Sequence, residues 1–195
     1  MNDKVWGKVE VEIKGLSPLL MHRCTVETLT KPSRGAKGKE AYDPEKLARE
    51  SAYITEIDGK EQLYIPSEAI YGLILNAARS YHPKGKRYSM ATVLAGAIRI
   101  DPEKIPLGHC KYEIDERVVR NKVTGARLPS ARAKIPEWHV AFSIFYYRSS
   151  FTPLRLEQMH TILVDGGVRF GILSYRPQHR GPFGTFTVEK FNIVS

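Results

Sequence analysis

Cysteine is scarce, with Cys24 and Cys110 alone among 195 residues. Two thiols so far apart exclude a disulfide framework and a cysteine-based metal site, and they predict reduced thiols in a cytoplasmic protein. Acidic residues are also few, 21 against 30 Lys and Arg, which leaves a net charge of +9. Such an excess draws polyanions and disfavours acidic proteins or small neutral substrates as ligands. No apolar run approaches the roughly 20 residues of a membrane helix, so no membrane partner is expected. The opening Met1-Asn2-Asp3-Lys4 is polar and leads straight into a strand pattern, so no secretory signal is expected either. The six histidines show no paired metal-ligand spacing, and no nucleophile motif or phosphate-binding Walker loop is present. No metal, no cofactor and no catalytic residue are therefore expected.

What is present suits a globular domain, 42% hydrophobic and 26% charged. Its length fits a single domain, residues 1–195, with insertions at about 22–64 and 120–136. Val5, Val9, Val11 and Ile13 alternate with charged residues and predict a half-buried strand. Residues 30–40 are rich in Gly, Pro and Lys and predict a basic loop. Asp43-Pro44-Glu45 reads as a cap and first turn of a helix running to about residue 52. Residues 53–57 and 62–65, around Asp58-Gly59, predict a hairpin. Pro66-Ser67-Glu68 opens a stronger helix, with Ser67 as its N-cap and Ile70, Leu73, Ile74, Ala77 and Tyr81 on one face. Residues 91–100, 111–119 and 139–147 read as strands. Thr152-Pro153 caps a helix carrying Leu156, Met159, Ile162 and Leu163, and Gly166-Gly167 is expected just past its end. A last pair of strands should bracket residues 171–184.

Without the insertions the order is strand, helix, strand, strand, helix, strand. That pattern predicts an α+β, ferredoxin-like (RRM-like) βαββαβ fold, an antiparallel sheet with both helices on one face. The open face of such a sheet is a frequent nucleic-acid platform. Phe142, Phe145, Tyr146 and Tyr147 could stack bases there, although aromatic strands more often face a core.

Two stretches carry the chemistry. Between Arg117 and Lys134 lie Arg120, Lys122, Arg127 and Arg132 with no acidic residue, more charge than a solvated face needs. The segment Gly171-Ile172-Leu173-Ser174-Tyr175-Arg176-Pro177-Gln178-His179-Arg180-Gly181-Pro182-Phe183-Gly184 combines forked cationic donors with glycines that let a second backbone come close. Both fit a sugar-phosphate backbone. His22 and Arg23 follow the first strand, and Ser67 lies where exposed helix amides favour an anion.

Four ordered segments resemble the RAMP superfamily, in particular the backbone subunits that line guide RNA in CRISPR effector complexes. They are Ile13-Lys14-Gly15-Leu16-Ser17-Pro18-Leu19-Leu20; Ile65-Pro66-Ser67-Glu68-Ala69-Ile70-Tyr71-Gly72-Leu73-Ile74; Glu116 to Ala126 with Ile135-Pro136-Glu137-Trp138-His139-Val140-Ala141-Phe142; and the terminal glycine loop. The resemblance implies an RNA-binding subunit with a thumb-like hairpin at 120–136. Its partners would be single-stranded (guide) RNA and copies of itself or related effector subunits. His22, Arg23, Ser67, Arg117, Arg120, Lys122, Arg127, Arg132, Lys134, Arg176, His179, Arg180, Gly181 and Gly184 would meet the RNA. Two other readings stay open: an endoribonuclease of the same superfamily, using His22 or His179 as a base, and a decoy that occupies a subunit position. Where some relatives carry a cleaving aspartate after the first strand, residues 21–30 offer only Glu27.

Overall fold

A computed structural model describes residues 5–24, 42–57, 59–120 and 125–194 of the chain. The basic loop at 30–40, Glu27 and Lys122 lie outside them.

The first strand, β1 (Trp6–Gly15), buries Val9, Val11 and Ile13 while the intervening charges face out. It is central in a four-stranded antiparallel sheet of order β10-β1-β9-β5, with β5 at Ile98–Asp101, β9 at His139–Tyr147 and β10 at Phe186–Val194. Two helices cover one face. One is α2 (Ser67–Ala78), whose Ile70, Leu73, Ile74 and Ala77 are buried as their spacing predicts. The other is α4 (Pro153–Arg169), capped by Thr152, which accepts a hydrogen bond from the Arg155 amide.

The remaining strands form two three-stranded sheets. α1 (Pro44–Ser51) starts where expected, with the Asp43 carboxylate accepting from the Lys46 amide at 3.0 Å. β3 (Ile54–Ile57) and β4 (Lys60–Pro66) form the expected hairpin and are extended by β6 (Lys104–Pro106). β7 (Glu113–Arg120) and β8 (Arg127–Ile135) pair in register from Glu113↔Lys134 to Arg120↔Arg127. The short β2 (Leu19–Leu20) adds to β8. α1 locks onto this hairpin through buried Ser51, whose hydroxyl donates to the Ala48 carbonyl and accepts from the Ala133 amide.

Five expectations need correction. Residues 91–100 are not one strand: Met90–Leu94 form a short helix, α3, and Gly96, at φ 75°, turns the chain into a brief β5. Gly166 and Gly167 do not end α4 but lie within it. A Cβ on Gly166 would stand 2.7 Å from the Leu73 side chain, and one on Gly167 would stand 2.6 Å from the Phe186 carbonyl. Helix–helix and helix–sheet approach therefore select these glycines, not termination. No strand precedes the terminal glycine loop; turns and a 3-10 turn at Pro177–His179 lie between α4 and β10. The residue capping α2 is Pro66, not Ser67, and Ser67 donates its amide to the Glu103 carbonyl at 2.8 Å.

Two of the four aromatic residues expected to face outward on the sheet, Phe142 and Tyr146, face the core instead, whereas Phe145 and the exposed Tyr147 lie on the open face. Phe142 and Tyr146 are buried, Tyr147 packs on Trp6, and Arg99 sits over Phe145. That face also carries a lattice of paired charges. Lys8 pairs with Glu10, Lys190 with Glu10 and Glu12, and His139 lies 3.8 Å from both Glu12 and Glu189.

Candidate nucleic-acid interface

A groove of about 1300 Å³ lies between the β7–β8 hairpin, the start of α2 and the glycine loop. All four motif segments meet at it. Leu20 ends the first; Pro66, Glu68, Ala69 and Gly72 belong to the second. Arg117, Arg120 and Arg132 come from the hairpin, and Gly171 to Arg176 with His179 come from the loop.

The loop is held there by the turn after β1. Gly184 donates its amide to the Pro18 carbonyl, Ser174 donates to Leu20, and the Ser17 hydroxyl accepts from the Thr185 amide. Glycine is required for this docking. A Cβ on Gly184, at φ 72°, would lie 2.0 Å from the Ile172 carbonyl oxygen, and one on Gly181 would lie 1.8 Å from that of Tyr175. The close backbone that these glycines admit is the chain's own.

Hairpin and loop are joined by side chains. Arg117 donates to Asp115 at 2.5 and 2.9 Å and lies over the rings of Tyr175 (5.4 Å) and Phe183 (4.7 Å). Arg132 donates to the Ser174 hydroxyl at 2.7 Å. Arg176 folds back onto the Leu173 carbonyl and Gln178. These three guanidinium groups are parts of the wall as well as sources of charge. The Asp115 hydrogen bond holds the Arg117 pKa up, whereas burial lowers those of Arg132 and Arg176. Burial, and then the charge of Arg132, hold His22 below its ordinary 6.5, which favours neutral imidazole at pH 7.

The groove thus gathers His22, Arg117, Arg120, Arg132, Arg176 and His179 against only two carboxylates, Glu68 and Asp115. A smaller recess beside it shares His22 and Arg132 and adds Arg23. Arg127 is exposed directly across the ladder from Arg120, and Arg180 is exposed at the loop's outer corner. Lys134 pairs with Glu113 at 2.7 Å on the hairpin, away from the groove lining. Ser67 is half-buried and outside that lining, and Gly184 is buried.

Sequence reasoning missed Asp115, Ser174, Tyr175 and Phe183, which position the arginines. It also missed Val118, 71% exposed, and Tyr175, 43% exposed, which give the groove apolar surface. Alternation along β7 could have flagged Val118; nothing local marks the others. Among the described residues no group of three His, Cys, Asp or Glu side chains comes together as a metal site.

No family model matches the chain, and no curated protein matches it in sequence. Solved structures do match in fold. A chain of the Type III-B Cmr-beta complex bound to cognate target RNA superposes with a TM-score of 0.62 at 13% identity, over 99% of this chain. This chain spans 62% of that one's length. A chain of a Type IV-B CRISPR complex superposes with a TM-score of 0.50 at 8% identity, covering 96% of this chain and 90% of the other. The fold of this mixed α+β chain is that of subunits in CRISPR complexes, as the ordered motifs led one to expect.

Proposed function

We propose that this protein is an RNA-binding subunit of a multi-subunit, CRISPR-type ribonucleoprotein, built on a ferredoxin-like core and gripping the sugar-phosphate backbone of a single-stranded RNA such as a guide. The chain order β1-α2-β5-β9-α4-β10 and the sheet order β10-β1-β9-β5 support the core assignment.

One observation carries the functional reading: four sequence segments, far apart in the chain, converge on a single groove whose cations outnumber its carboxylates. Arg120 and Arg127 add weight. Like charges directly opposite in an antiparallel pair repel each other, and a bound phosphate relieves that repulsion. In this reading Arg117, Arg132 and Arg176 hold the wall and supply field. Arg120, Arg127, His179, Arg180, His22 and Arg23 meet phosphates, and Val118 and Tyr175 pack against sugars or bases. Backbone contacts of this kind read no base edge, so binding is largely indifferent to sequence. Partners of the assembly would be further copies or related subunits.

Fluorescence anisotropy with single-stranded RNA over a salt series tests the proposal. Expected is binding at low salt that weakens linearly in log salt, with a slope near −0.7 per phosphate contact. Absence of binding, or binding blind to salt, refutes it. One observation favours an endoribonuclease as second reading: His22 is held toward its neutral form beside Arg132 in the groove, as a general base requires. Incubation with labelled RNA, and loss of any product in His22→Gln, decides between them.

A further inference from the structure

From Ala69 to Ile100 the chain contains no Asp or Glu, a run of 32 residues that includes Arg79, His82, Lys84, Lys86 and Arg87. These five lie between the end of α2 and the start of α3, and all are exposed. The loop is pinned at its base and open at its tip. The Met90 amide donates to the Tyr81 carbonyl at 2.6 Å, and Tyr81 packs on the core. At the tip, Lys86 donates its amide to Pro83, and Gly85 turns at φ 72° with nothing within 4 Å of a Cβ built on it. None of the ion pairs among the described residues involves these cations. Charge held unneutralised on a fixed base suits a polyanion more than a solvated turn.

The loop is also continuous with the groove. Glu68, Ala69, Gly72 and Asn76 line the groove from α2, and Arg79 follows Asn76 by three residues and Gly72 by seven, on the same helical face. On the other side burial, and then the nearby Asp165 carboxylate, raise the Tyr81 pKa, and Asp165 pairs with Arg169 at 3.0 Å, just before the glycine loop. A helix of 12 residues spans about 18 Å, so the loop lies roughly that far from the mouth at Glu68.

We propose that residues 79–88 form a second phosphate contact, which captures the RNA strand where it leaves the groove along α2. This rests on the function proposed above and extends it: the site is longer than the groove, and Lys84, Lys86 and Arg87 act on long strands only. Arg79 also complements the C-terminal end of α2, so it is left out of the test.

The test compares a labelled uridine hexamer with an octadecamer by anisotropy across salt, for the wild type and for the triple variant Lys84→Ala, Lys86→Ala, Arg87→Ala. On the octadecamer the triple variant should lower the log–log salt slope by about 2, at ~0.7 for each of three lost contacts, and weaken binding about a hundredfold near 0.1 M salt. On the hexamer it should match the wild type. Single changes Lys84→Gln and Lys86→Gln should each remove about a third of the slope change, which keeps the test decisive should the triple variant fold poorly. Equal affinities for both variants on the octadecamer overturn the proposal, as does an equal loss on both lengths. If the wild type binds neither oligomer, the function itself has failed.

Discussion

Replacing Arg117 by alanine separates a strut from a phosphate ligand. The guanidinium makes two charged hydrogen bonds to Asp115, with side-chain exposures of 37% and 13%, and covers two rings. With the donor part-exposed and screened, the two charge-assisted hydrogen bonds contribute about 1.5 kcal/mol together. Each ring contact adds about 0.5–1 kcal/mol, for a total near 3 kcal/mol. At roughly 2–4 °C per kcal/mol for a domain of this size, Arg117→Ala should melt about 6–12 °C lower by circular dichroism. Arg117→Lys keeps the charge but loses the fork and the stacking plane, so it should fall nearly as far while keeping the salt slope of RNA binding. In a cycle with Asp115→Asn, the two changes should couple by about 1 kcal/mol or more. A lysine variant that melts like the wild type, or additive single changes, refutes the clamp.

Gly184→Ala and Gly85→Ala both place alanine at φ 72°, but only the first drives a Cβ to 2.0 Å from a backbone oxygen. Left-handed strain alone costs about 1–2 kcal/mol, so Gly85→Ala should melt a few degrees lower, whereas Gly184→Ala should melt far lower or precipitate. Gly167→Ala, facing the Phe186 carbonyl, should behave like the latter, read by the same melts. The depressed pKa of His22 means that its stabilising contribution is whole above 6.5 and is lost as pH falls through the folded value. A phosphate nearby favours the imidazolium, so RNA binding should take up protons and tighten as pH falls from about 7.5 to 5.5; His22→Gln should weaken that trend in anisotropy titrations. Thr152→Ala removes the cap of α4 and should cost about 1 kcal/mol, measured in urea.

Periodicity made β1 and α2 legible, because each buries a face that its own spacing declares, whereas α1 was legible from its Asp43-Pro44 cap and the β3–β4 hairpin from its Asp58-Gly59 pair. Gly166 and Gly167 misled because a glycine that ends a helix and one that admits a neighbouring helix are the same letter. At Gly181 and Gly184 the demand for close approach was readable, and the backbone that meets them is that of Tyr175 and Ile172. Residues 91–100 were apolar enough for either state, and Gly96 broke them in two. At the groove, the cations were legible as charge, whereas their holders were not. Ser174 meets Arg132 across 42 positions, a pairing that only the folded topology creates.

The paired charges on the outer sheet face have an effect on how a partner arrives. With Lys8 and Lys190 offset by Glu10 and Glu12, that patch contributes little to the far field. The groove, with four arginines against two carboxylates, is by contrast a source of positive field. A negatively charged polymer drifting in from any direction exerts a torque that turns the productive side toward it before contact, and added salt should slow that encounter more than it hastens departure.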